Sequence, residues 1–111
     1  MKKRIYIAGA ISGMPPDEVS RKFLNAETTI NAMGHIPINP YKIVPKILPN
    51  DATQEQKDEF WIKAMTICLP EVMRCDAIYM LKDGLQSKGA RIEHYTAQTM
   101  GKEIIYQENP R

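Results

Sequence analysis

Four short apolar runs, separated by stretches with helical spacing, constrain this chain more than any other feature of its sequence. Ile5-Tyr6-Ile7-Ala8 reads as a short buried strand. Val19, Phe23, Ala26, Ile30 and Met33 then recur at helical intervals behind Asp17 and Glu18, and Gly34 stands where a helix C-cap would. His35-Ile36-Pro37-Ile38 is a second strand, which Pro37 confines to a sheet edge. Thr53-x-x-Gln56 fits a capping box, and Trp61, Ala64, Met65, Cys68 and Leu69 continue from it as one apolar stripe that Pro70 is expected to end or kink. Cys75 to Leu81 is the third strand. A helix from about Lys88 to Met100, closed by Gly101, leads to a last strand, Glu103 to Tyr106. Strands alternating with helices imply a parallel sheet covered on both faces. Right-handed crossovers and short connections leave few topologies, and the arrangement expected is α/β, a doubly wound sheet of four parallel strands in the order 2-1-3-4. At 111 residues the whole chain, 1–111, fits a single domain.

In such sheets ligands bind outside the carboxyl ends of the strands, at the switch point. Here that point lies between the first and third strands, where the loops Gly9-Ala10-Ile11-Ser12-Gly13 and Gly84 to Gly89 converge. The second loop opens a helix with the spacing Ser87-x-Gly89-x-x-x-Glu93. Gly89 and Glu93 are one helical turn apart on one face, so the glycine leaves room beside the carboxylate. The first-turn N–H groups attract anions, and the partial positive charge of that end favours an ionised Glu93. Ser87 can cap the helix or donate to a phosphate oxygen. The plain alternative is a helix with a polar start and nothing more. Gly9, Ser12 and Gly13 form a small-residue turn that lets a ligand approach the backbone, though the pattern is neither a dinucleotide fingerprint nor a Walker loop. Tyr6 reaches Glu93 if it points to the same side of the sheet; otherwise it is a core tyrosine. Residues 39–52, with Pro40, Pro45 and Pro49 and with Asn39, Tyr41 and Lys42 near the start, read as a lid or base-recognition loop, or else as a surface linker. Asp76 reads as a turn residue, and His94, rotated away from Glu93, as a surface histidine.

A formal net charge of +2 predicts no nucleic acid polymer as partner, and Lys2-Lys3-Arg4 reads as a solvated strand entry. No apolar run approaches membrane-spanning length and no signal-peptide h-region is present, so no membrane partner and a cytoplasmic location are expected. Cys68 and Cys75 form neither a C-x-x-C pair nor a disulfide framework and read as buried reduced thiols. With only His35 besides His94, no metal site is expected.

The runs "RIYIAGAISG", "CDAIYML" and "SKGARIEH" together resemble the nucleoside 2-deoxyribosyltransferase-like superfamily, over nearly the whole chain and closest to a branch of short bacterial and phage proteins of unknown function. The resemblance implies a flavodoxin-like three-layer α/β/α sandwich and cleavage or exchange of an N-glycosidic bond. It makes Glu93 the nucleophile and Tyr6 the residue that holds it, with Gly9, Ser12, Gly13, Ser87 and Gly89 around a phosphate. Asn39 is a further substrate-binding candidate from the Pro-rich segment. Serine at position 87, where the transferases carry an acid, tilts the reading from a nucleoside towards a nucleoside 5′-monophosphate. No cofactor is needed. Thin walls around the site, and the habit of the superfamily, imply a homodimer or higher homo-oligomer. One departure stands out: the aspartate expected eight residues before Asp76 is Cys68 here. That departure supports a second reading, a non-catalytic nucleotide-binding module using the same pocket. A phosphoribohydrolase of the cytokinin-activating type would need a P-G-G-x-G-T-x-x-E stretch, which this chain lacks.

Overall fold

The computed structural model describes residues 1–44, 48, 49 and 51–108. Its elements are β1 (Arg4–Ala8), α1 (Pro16–Ala32), β2 (Ile36–Ile38), α2 (Pro40–Ile43), α3 (Gln54–Arg74), β3 (Ala77–Met80), a 3-10 turn at Gly84–Gln86, α4 (Lys88–Thr99) and β4 (Glu103–Tyr106). All three strand pairings are parallel and the sheet order is β2-β1-β3-β4, as the alternation implied. Every residue of β3, and β1 from Ile5 onward, is buried, because helices cover both sides of the sheet centre.

The two-residue period of a strand divides β1 between two cores. Ile5 and Ile7 pack with Val19, Phe23, Ala26 and Ile30 of α1, together with Tyr79 and Leu81. Tyr6 and Ala8 face the other way, into Cys68 and Val72 of α3, Ala90 and Ala97 of α4, and Ile78 and Met80. This register decides what Tyr6 can touch: it lies under α3 and α4.

The local signals resolve in detail. Thr53 and Gln56 form the reciprocal capping box, with Gln56 N–H donating to Thr53 Oγ1 at 3.1 Å and Thr53 N–H to Gln56 Oε1 at 2.9 Å. Gly34 and Gly101 follow their helices with φ of +83° and +71°, a region that favours glycine. Pro70 does not end α3, which continues to Arg74. The carbonyl that proline deprives of a partner belongs to Thr66, which is exposed, so the group is not left buried without a partner. Cys75 caps this helix, so the third strand begins at Ala77, not at Cys75. Asp76 accepts the Arg4 N–H at 2.9 Å and extends the β1–β3 pairing. Residues 45–47 and 50 lie outside the described residues; the start of the 39–52 segment is the short helix α2. Among the described residues no helix is long and apolar enough to cross a membrane.

Gly9, expected to let a ligand approach, has a packing reason to be glycine. A Cβ there would lie 2.5 Å from Leu81 Cδ1 and 3.1 Å from Leu81 Cβ, and the second of these atoms cannot rotate away. Gly9→Ala is therefore expected to cost about 1–3 kcal/mol through overpacking, read as a lowered midpoint in urea denaturation.

Candidate active site

Helix α4 buries Ala90, Glu93 and Ala97, a stripe with the spacing of a core face. Two of the three are alanines, which leaves room for the third to be a glutamate. Glu93 is 6 % exposed, and its Oε2 accepts a hydrogen bond from the Tyr6 hydroxyl at 2.5 Å. That length is typical of O–H donation to a carboxylate. Among the described residues no buried side-chain oxygen lacks a partner. Oε1 of Glu93 accepts none of the hydrogen bonds, so it is the oxygen that solvent reaches. One oxygen is thus fixed from the sheet and the other left open.

Burial pushes the Glu93 carboxyl up from its ordinary 4.5 to about 7, against the Tyr6 hydroxyl, which pulls it down. The sequence argument from the helix N-terminus favoured an ionised acid. Desolvation outweighs that effect, because a group on the buried face loses more hydration than the first turn's partial charge returns. Tyr6 is itself pushed well above its ordinary value by burial and by Glu93, so it acts as a neutral donor. Cys68, 4 % exposed, lies beside the Tyr6 hydroxyl in the same core. Burial raises its thiol to about 11, partly offset by that hydroxyl, so it is a protonated and reluctant acid.

The other predicted residues divide. Ser87 is the N-cap of α4: its Oγ accepts the Ala90 N–H at 3.3 Å, which leaves its own proton free to donate. Gly89 stands one turn before Glu93, yet the space beside it is not open. A Cβ there would meet Met65 Sδ at 3.3 Å and Trp61 Nε1 at 3.5 Å. Ser12 and Gly13 are exposed on the loop after β1, and Gly13 has φ +79°. Asn39 is buried and occupied with the fold. It caps α2 by accepting the Tyr41 N–H at 2.9 Å and donates to Glu27 at 2.9 Å. His94 turns away from Glu93 and shares a hydrogen bond of 2.8 Å with the Tyr106 hydroxyl.

Sequence reasoning missed Asp83 and Lys22. Asp83, in the loop after β3, accepts the Ala10 N–H at 3.0 Å on one oxygen and pairs with Lys22 of α1 at 2.5 Å on the other. One carboxylate thereby ties together the two loops that converge at the switch point. An acid directly before Gly84 was the available signal, but only the fold shows which backbone it reaches.

No curated protein matches this chain. Among solved structures, the 2-deoxyribosyltransferase of the psychrotolerant bacterium Bacillus psychrosaccharolyticus superposes with a TM-score of 0.62 at 17 % sequence identity. The match covers 97 % of this chain and 77 % of that one. At that identity it establishes a shared fold, the flavodoxin-like α/β arrangement of a deoxyribosyltransferase. The family profile described as a domain of unknown function, DUF4406, matches residues 3–106, nearly end to end, and this chain belongs to that family.

Proposed function

We propose that this protein cleaves or exchanges the N-glycosidic bond of a nucleoside or nucleoside 5′-monophosphate, with Glu93 as the nucleophile. The observation that carries the reading is a carboxylate set into the core stripe of α4, one oxygen held by Tyr6 and the other free. An ionisable group in a position that packing would fill with an apolar side chain, with a strongly displaced pKa and a specific partner, has the character of a working site. The fold shared with a deoxyribosyltransferase points to the same chemistry.

The free Oε1 would attack the anomeric carbon as the bond from that carbon to the base nitrogen breaks. The electron pair of that bond leaves with the base, which takes a proton from water. Positive charge developing on the sugar is stabilised by the carboxylate, as in other glycosyl transfers. The resulting glycosyl ester is opened by water, releasing the sugar and regenerating Glu93, or by a second base, which exchanges one nucleoside for another. Ser87, Gly89 and the loop of Gly9, Ser12 and Gly13 would hold a 5′-phosphate at the carboxyl edge of the sheet. Asn39 has no part in this scheme. A second copy of the chain would complete the thin walls of the site in a homo-oligomer.

The test is release of free base, followed by chromatography, from deoxynucleoside monophosphates and from the corresponding nucleosides. Release from either class supports the reading, and a preference for the monophosphates supports the role given to Ser87. One observation favours the second reading, a binding module. Cys68, which stands where the superfamily's aspartate is expected, has its thiol raised by burial to about 11 and supplies no ready proton to a leaving base. Heat of binding in calorimetry without any free base would select that reading.

Because the nucleophile must be ionised, the rate is expected to rise with pH through about 7, the value to which burial moves Glu93. Tyr6→Phe removes the donor that opposes this shift. The rising limb of the pH–rate profile is then expected at higher pH than in the wild type, with a lower rate at neutrality. An unmoved limb would mean that the hydroxyl does not act on the carboxylate.

A further inference from the structure

The space beside Gly89, where the proposed reaction would seat part of its substrate, is taken by two side chains of α3. Met65 and Trp61 are four apart on one face of that helix and bring their Sδ and Nε1 atoms against Gly89, one turn above Glu93. Helices that link parallel strands run against the strand direction, so α3 and α4 descend together from the carboxyl edge of the sheet. Trp61 and Met65 therefore lie at the rim, level with Gly89, and Cys68 a turn deeper, level with Tyr6 and Glu93.

Three features describe this cover. Met65 is an unbranched side chain that can be displaced by bond rotation alone. Trp61, itself only partly buried, brings its indole Nε1 beside Gly89. Lys88 places its Nζ 4.1 Å from the centre of the Trp61 ring. A lysine in the first turn of a helix is opposed by the helix dipole, so its favourable contact here is the ring rather than its own helix.

We infer that Trp61 and Met65 form a movable cover beside Gly89 and above Glu93, latched by Lys88, and that swinging it out opens the volume a nucleoside's sugar would enter. The inference rests on the proposed function for the identity of the ligand, but not for the motion. Once displaced, the indole N–H is a donor available to a sugar hydroxyl or to the base, and the Lys88 ammonium is released beside Ser87, where an anionic group would be met.

Cys68 makes the motion measurable without any ligand. Burial raises its thiol and that of Cys75 alike to about 11. The ratio of their labelling by a small methanethiosulfonate, read by peptide mass spectrometry and compared between variant and wild type at one pH, reports the change in access to Cys68. Cys75, at the far end of α3 and 1 % exposed, supplies the rate of global opening. Lys88→Ala is expected to raise the Cys68:Cys75 ratio roughly two- to five-fold, the strength of an exposed cation–π contact. Met65→Ala should raise it further, and Lys88→Arg, which keeps a cation on the ring, should restore it. A ratio unchanged in both Lys88→Ala and Met65→Ala overturns the cover. Trp61, the sole tryptophan of the chain, gives a second readout: a deoxynucleoside monophosphate is expected to shift its emission and slow Cys68 labelling. Free base released with no change at Trp61 also overturns the cover. Failure of every nucleotide to bind counts against the glycosidic reading instead, and the labelling ratio still decides the motion.

Discussion

Glu93→Ala is expected to lower the release of free base by roughly 10³-fold or more, as removal of an enzymic nucleophile does. The whole proposed path runs through a bond to this carboxylate, so its loss removes the covalent step itself. Tyr6 holds the acid from the sheet but cannot replace it, since its hydroxyl stays protonated far above neutral pH. The chromatographic assay compares wild type and variant at pH 8, where the wild-type acid is ionised. Equal release by the two proteins would remove Glu93 from the reaction. Cys68 offers a related contrast: Cys68→Asp would place a stronger acid beside Tyr6, and the same assay reads whether base departure then speeds up.

The same residue is expected to destabilise the protein above neutral pH. In the unfolded chain Glu93 ionises near 4.5, whereas in the fold it holds its proton to about 7. Below 4.5 both states are protonated and the residue contributes no pH dependence. Between 4.5 and 7 the unfolded state gives up its proton and the folded state does not, so stability falls as pH rises. Above 7 the loss is complete, at most about 3 kcal/mol from the size of the displacement. Glu93→Gln keeps an oxygen for the Tyr6 hydroxyl and has no charge to bury. It should be more stable than wild type by up to that amount at pH 8 and show little of this gain at pH 4.5. Urea midpoints at the two pH values measure the difference. A gain of equal size at both would show that the carboxyl is not displaced. A substitution that stabilises the fold while abolishing activity is the expected signature of a group kept for chemistry rather than packing.

The fold was legible because its signals are local and agree with one another: the strand and helix periods, the capping box at Thr53, and glycines after α1 and α4 all point the same way. Between the two outcomes expected at Pro70, an end or a kink, the sequence could not choose, because a proline is tolerated inside a helix where the carbonyl it orphans is exposed, and that face is defined only by the packed structure. Tyr6 and Glu93 could be paired as candidates, yet their contact is fixed by which core the even residues of β1 enter. The space beside Gly89 was legible only as a missing side chain, and what fills it comes from α3, more than twenty residues earlier in the chain. Asn39 looked like a ligand-binding residue for the reason that it is polar in a turn-rich segment, and a buried helix cap has the same appearance in sequence. The protonation of Glu93 was misread because a helix terminus is visible in sequence and desolvation is not.

The carboxylate of Asp83, shared between the Ala10 backbone and Lys22, couples two stretches that would otherwise drift separately. Insertions or deletions in either stretch would have to preserve one anchor point, so neither is a permissive place to lengthen or recode. On the function proposed above, new ligand preferences in chains of this design would be easier to acquire by exchanging the bulky residues of α3 than by remodelling the crevice's own rims.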